Sequence, residues 1–184
     1  MIYAGIDYSL TSPSICVYNN VDEFSFSACT FYVLNDRKCH TLPNIKIKEH
    51  SNYDSSNRRY ENISDYFLPI LSCCDSIMIE DYSMGSKGKV FHIAENTEVL
   101  QFKLYKMNKN YHKVPPTTLK KWASGKGNAT KEIMYESFIS SENIDLIDLL
   151  GVSKKNKLSS PITDIVDSFF LCKRSEEHTS ELQS

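Results

Sequence analysis

Glycine and proline are both scarce in this 184-residue chain, six of each, and no internal repeat or long low-complexity segment appears. That excludes collagen-like, solenoid and linker-dominated architectures. No apolar run approaches the ~20 residues that span a bilayer. The opening Met1–Asp7 also lacks the basic, apolar, then small order of a secretion signal. The chain is therefore expected to be soluble and cytoplasmic, with no membrane partner. The six cysteines, at positions 16, 29, 39, 73, 74 and 172, show no CxxC spacing, and His40 beside Cys39 has no matching pair. A zinc site is thereby disfavoured, and in a reducing compartment these thiols read as buried or neutral. The pair Gly125-Lys126-Gly127 lacks a third glycine and follows a helix-like stretch, so it is no dinucleotide fingerprint.

Acidic residues are missing from one long stretch. Between Glu98 and Glu132 there is none, while eight lysines fall there, at 103, 106, 109, 113, 120, 121, 126 and 131. With Tyr105, Tyr111, His112 and Trp122 among them, such a stretch suits a phosphate backbone. Trp122 itself reads as a packing residue rather than a base stack. The final eleven residues, Arg174 to Ser184, match the translation of a common sequencing-library adapter, and we read them as non-native read-through. Without them the chain carries 20 bases and 20 acids. Residues 1–173 then read as one domain, and a chain that is 41% hydrophobic over its full length has enough for a sizeable core.

What is present is an alternation of strand and helix patterns. Ile2 to Ile6, Ser14 to Tyr18 and Phe24 to Leu34 are β-rich and joined by turn signals at Ser12-Pro13 and Asn19-Asn20. Asn35 to Ser56 reads as polar and irregular. Arg58 to Leu71 has helical spacing, with Pro69 expected to shorten its end. Ser76 to Ile79 reads as a buried strand. Phe91 to Met107 reads as a helix with Ile93, Val99, Leu100, Leu104 and Met107 inward. Tyr111 to Val114 is a short strand before Pro115-Pro116, and three helices follow. They cover 117–122, 131–139 with Thr130 as its cap, and 162–172 with Ser160 capping before Pro161. The expected fold is α/β: a mixed five-stranded sheet, three antiparallel strands then two parallel, flanked by helices.

Asp7 and Glu80 each end an apolar strand, and Asp164 and Asp167 are three apart on a helix, so they share a face. Only folding decides whether Glu80 or its neighbour Asp81 points inward. Hydrolysing a phosphodiester needs a nucleophilic water and charge relief on the leaving oxygen, which two Mg²⁺ ions roughly 4 Å apart supply. Mg²⁺ favours hard oxygen ligands, so converging carboxylates meet that need without a nucleophilic side chain.

The order of these motifs resembles the RuvC Holliday-junction resolvases, of the ribonuclease H-like superfamily. The residues that carry the likeness are Gly5-Ile6-Asp7-Tyr8-Ser9, Ile79-Glu80, the stretch from Lys120 to Lys131, and Asp164-Ile165-Val166-Asp167. Glu80-Asp81-Tyr82-Ser83 leading into Gly85-Ser86-Lys87-Gly88 is similar to the version carried by bacteriophages, which would place the protein in a bacterial host's cytoplasm. Residues 35–57 have no counterpart in the resemblance. It implies a Mg²⁺-dependent endonuclease with Asp7, Glu80, Asp164 and Asp167 as ligands of two ions (Mn²⁺ substituting) and Lys131 as a further catalytic residue. It also implies DNA contacts from Tyr82, Lys87, Lys89, Lys120, Lys121, Lys126 and Lys131, with Tyr82 or Met84 wedging into a four-way junction. The partners implied are branched DNA and a second copy of the chain. Glu98 departs from the small residue expected there. A broader debranching nuclease and an inactive nucleic-acid-binding module of the same fold are the alternatives. An actin-like ATPase would need a second half that 184 residues cannot hold.

Overall fold

The computed structural model describes residues 1–40, 42–82, 90–152 and 158–183. Its strands are β1 (Tyr3–Asp7), β2 (Ser14–Tyr18), β3 (Cys29–Leu34), β4 (Ile45–Lys48), β5 (Ser76–Glu80) and β6 (His112–Val114). Its helices are α1 (Ser56–Ser72), α2 (Val90–Lys106), α3 (Pro116–Ser124), α4 (Lys131–Glu142), α5 (Leu146–Leu149) and α6 (Ile162–Gln183). The strands form a single sheet in the order β4-β3-β2-β1-β5-β6. β1, β2 and β3 pair antiparallel, while β5 joins β1, β6 joins β5 and β4 joins β3 in parallel.

The sheet therefore has six strands where five were expected. The extra one, β4, lies inside the segment read as irregular. Ile45 and Ile47 alternate with Lys46 and Lys48, a pattern too short and too polar to stand out, and pairing with β3 is what makes it a strand. Two further expectations fail for local reasons. Pro69 does not shorten α1, which runs on to Ser72, because the carbonyl it frees belongs to the exposed Asp65. Met107 is 38% exposed rather than inward, since α2 stops at Lys106 and the chain turns at Asn108, whose φ is 54°.

Alternation along the strands sorts side chains to two cores. Ala4, Ile6, Ile15, Ile77 and Ile79 pack with Ile63 and Phe67 of α1 and Leu100 and Leu104 of α2. Tyr3, Cys16, Phe31 and Met78 face Ile165, Phe169 and Cys172 of α6 on the other side. Asp7 and Glu80 fall in the second set by the same period, two residues past Gly5 and Met78. α6 approaches β1 closely at Gly5, where an added Cβ would lie 2.1 Å from the Cys172 amide nitrogen and 2.4 Å from the Ser168 carbonyl oxygen. Only a residue without a side chain fits there. The helix continues past Arg174, which stacks over Trp122, and Ser175 hydrogen-bonds Ser76. Among the described residues, no helix is long and apolar enough to cross a membrane.

Gly5→Ala should force α6 off the sheet. Overpacking against backbone at this distance is expected to cost about 3 kcal/mol or more, read as a fall in Tm of roughly 6–12 °C for a chain this size. A Tm within two degrees of the parent would refute the close approach.

Candidate active site

β1, β5, β3 and β4 all run in one direction, so their C-terminal ends share one edge of the sheet. Asp7 closes β1 and Glu80 closes β5 on that edge. The first turns of α6 bring Asp164 and Asp167 across them, one helical step apart. All four carboxylates line a single cleft of about 270 Å³, together with Ser9, Pro116, Lys120, Lys131 and Thr163. The structure thus brings together the four acids that the sequence singled out. Asp81 is not among the cleft's lining; its carboxylate accepts the Tyr82 backbone N–H and lies 3.9 Å from the Lys113 ammonium.

Four acids in one partly buried cleft repel each other. Burial pushes Glu80 up to about 8, with Asp167 adding to the rise and Lys120 opposing it. Burial likewise pushes Asp167 up to about 7, with the Asp164 charge adding and Lys131 and Lys120 opposing. Asp7 is raised well above the usual carboxylate range by burial, then by Asp164, Glu80 and Asp167 in turn. A hydrogen bond between Asp7 and Asp164 raises the former and lowers the latter. Asp164 is also raised by burial, although hydrogen bonds from Ser160 and Ser12 work against the shift. Asp164 Oδ2 is buried and has no hydrogen-bond partner.

Among the described residues, no three His, Cys, Asp or Glu side chains already form a closed metal-ligand set. The carboxylates share a cleft rather than a point, and Asp7 and Asp164 meet through a hydrogen bond. The donor set nonetheless fits hard divalent cations: oxygen ligands only, mutually repelling, with one buried oxygen bare. A buried carboxylate oxygen without a donor is costly unless a cation or ordered water completes it.

The lysines divide. Lys120, from α3, and Lys131, the first residue of α4, face the cleft, and the Lys131 Nζ reaches Thr163 Oγ1 at 3.4 Å. Lys121 and Lys126 are exposed and line no part of it. Lys103, Lys109 and Lys113 are engaged within the fold, by Asp65, the Cys74 carbonyl and Asp81. Thr130 caps α4 by accepting from the Ile133 N–H. Gly125 is needed by its own backbone, with φ at 76° ending α3. Tyr82 is 36% exposed and lines an adjoining recess with Asp7 and Glu80. Lys87, Lys89 and Met84 lie outside the described residues. Trp122 packs edge-on against Phe170 and is half-buried, as a packing residue should be. Sequence reasoning missed Ser12 and Thr163 as site residues, since each is a small polar residue with no catalytic motif around it.

No protein-family model and no curated protein matches the chain. Solved structures do match it in shape. Thermus thermophilus RuvC superposes with a TM-score of 0.59 at 15% identity, over 98% of this chain and 96% of that one. The same organism's RuvC in complex with Holliday junction substrate gives 0.60 at 14% identity with the same coverage. The yeast mitochondrial Holliday junction resolvase Ydc2 gives 0.56 at 14% identity, over 98% of this chain and 79% of that one. The chain therefore has the ribonuclease H-like fold of the RuvC-type resolvases.

The raised carboxylates set a sign for stability. The folded state holds protons that the unfolded state has released, so stability falls as pH climbs from the ordinary value of 4.5 to about 8 for Glu80, and up to about 7 for Asp167. In chelator, the Tm of the parent should drop across that window. Asp7→Asn should flatten the drop and raise the Tm at pH 8 by a few degrees. A Tm at pH 8 lowered by Asp7→Asn would contradict the repulsion.

Proposed function

We propose that the chain is a Mg²⁺-dependent endonuclease that nicks branched DNA, and that four-way junctions are its main substrate. The observation that carries this reading is the convergence of Asp7, Glu80, Asp164 and Asp167 in one cleft beside Lys120 and Lys131. The fold likeness to RuvC and Ydc2 is consistent with it. In this reading the four acids hold two divalent ions, with Mn²⁺ able to replace Mg²⁺. When bound, such ions supply an activated water and charge relief on the departing 3′ oxygen. Asp7, at the end of β1 with Asp164 and Glu80 as its neighbours, would serve both ions. Lys120 and Lys131 hold the scissile phosphate against the carboxylates, and Lys131 balances charge that builds there. Tyr82 extends the DNA contact toward the junction centre, joined by Lys87 and Lys89, while Lys121 and Lys126 meet the duplex farther out.

A junction with two-fold symmetry requires paired cuts, which a C2 dimer provides. The face of α2 supports self-association: Phe91, Phe102 and Tyr105 are 76%, 60% and 71% exposed. Such a stripe is unusual on a monomer. Phe102→Glu is expected to shift the protein to a monomer in sedimentation equilibrium. An unchanged mass would remove α2 from the interface.

A substrate panel tests the activity. Junctions should be cut in preference to forks, flaps and linear duplex by at least tenfold. Asp7→Asn should abolish cleavage while still binding the junction, because the lysines remain. Equal cutting of all branched forms would favour a general debranching enzyme. Junction binding without cleavage by the parent, at any divalent ion, would favour a non-catalytic module.

A further inference from the structure

The corner between β3 and β4 belongs to the segment without a counterpart in the resemblance, yet it reaches the cleft. Asn35, 4% exposed, donates from Nδ2 to Ser12 Oγ at 2.8 Å. Its amide cannot be turned the other way, because Asn35 Oδ1 accepts the Arg37 backbone N–H at 2.8 Å. Ser12 is fully buried and already accepts from Asn35, so its single hydroxyl proton is directed elsewhere. The group it meets is the Asp164 carboxylate. From the other side, Arg37 Nη1 donates to Ser159 Oγ and to the Ser160 carbonyl, each at 2.9 Å. The Ser160 hydroxyl also hydrogen-bonds Asp164. Three separate segments, the β1–β2 turn, the β3–β4 corner and the turn before α6, thus close on one side chain.

We propose that Asn35 and Arg37 are positioning residues that fix the Asp164 carboxylate through Ser12 and Ser160, so that its bare Oδ2 faces a divalent cation. The inference rests on the metal-dependent reading of the cleft. A corner that served stability alone would have no reason to end on a buried carboxylate with one oxygen unmatched. Donors held on two sides of the carboxylate leave it little freedom to rotate, which lowers the ordering cost when a cation binds. The arrangement also explains why Asn rather than Asp stands at position 35. An aspartate there would accept the Ser12 proton and turn it away from Asp164.

The test is Mn²⁺ binding by the full chain, followed by calorimetric titration and by the electron paramagnetic resonance signal of free Mn²⁺. Asn35→Asp and Arg37→Ala are the variants, with Asp164→Asn as the reference loss. Both variants are expected to bind Mn²⁺ about 10–100-fold more weakly than the parent. The added charge of Asn35→Asp would by itself strengthen cation binding, so weakening there reports orientation. Arg37 is exposed, which keeps that variant folded if Asn35→Asp is not. Parent-like affinity in a folded Arg37→Ala or Asn35→Asp protein, with binding lost in Asp164→Asn, overturns the positioning role and leaves the nuclease reading intact. A parent that binds no Mn²⁺ overturns both.

Discussion

The contact on which the rest depends is the one between α6 and β1 at Gly5. A helix normally stands off a sheet by the depth of two side chains, but here backbone meets backbone. That closeness sets the height of the helix's first turns above the strand ends. Asp167 directly precedes the contacting stretch from Ser168 to Cys172 and Asp164 lies about a turn before it, while Asp7 follows Gly5 by two residues. The distance between the helix acids and the strand acids is therefore fixed by a position that carries no chemistry. Ser14 and Ser168 add a buried hydrogen bond of 2.9 Å between β2 and α6 beside it, which fixes the helix's rotation as well as its depth.

Much of the fold was legible because its signals are local. The β1 and β5 patterns end in acids, α1 and α2 show helical spacing, and Thr130 sits where a cap belongs. The strand acids could be read for the same reason: a charged residue directly after a buried run must emerge at a sheet edge. Asp167 was readable from helical spacing together with the order of the motifs, and Asp164 chiefly from the resemblance. The failures share a cause too. β4 exists through its partner strand, and Met107 lies past a helix end set by a left-handed asparagine. Asn35 and Arg37 act through hydrogen bonds to residues over 20 and 120 positions away. Such partners leave no periodicity to detect. Within the lysine-rich stretch, Lys103, Lys109 and Lys113 are engaged in the fold while Lys120 and Lys131 face the cleft, a division that composition does not reveal.

The cleft is a compromise between folding and chemistry. Every carboxylate in it is pushed toward its neutral form by burial, and Asp7, Glu80 and Asp167 by their acidic neighbours as well. Lys120 and Lys131 moderate that repulsion without cancelling it, and they stand where an anionic backbone would also be drawn. A site that is electrostatically strained when empty is one that a cation relieves, so ion binding and local rigidity rise together. The hydroxyls around Asp164 and the amide of Asn35 keep this strain from being spent on side-chain rotation.

The sheet's margins bear on how such a molecule associates. Its two outer strands are β4 and β6, four and three residues long. β4 carries Lys46 and Lys48 outward, and ammonium groups along a rim repel a second strand that would zip onto it. Short, cationic margins close off growth of the sheet from protein to protein. They leave that rim open to polyanions instead, so the same strand that discourages fibrous stacking adds cationic groups to one side of the sheet.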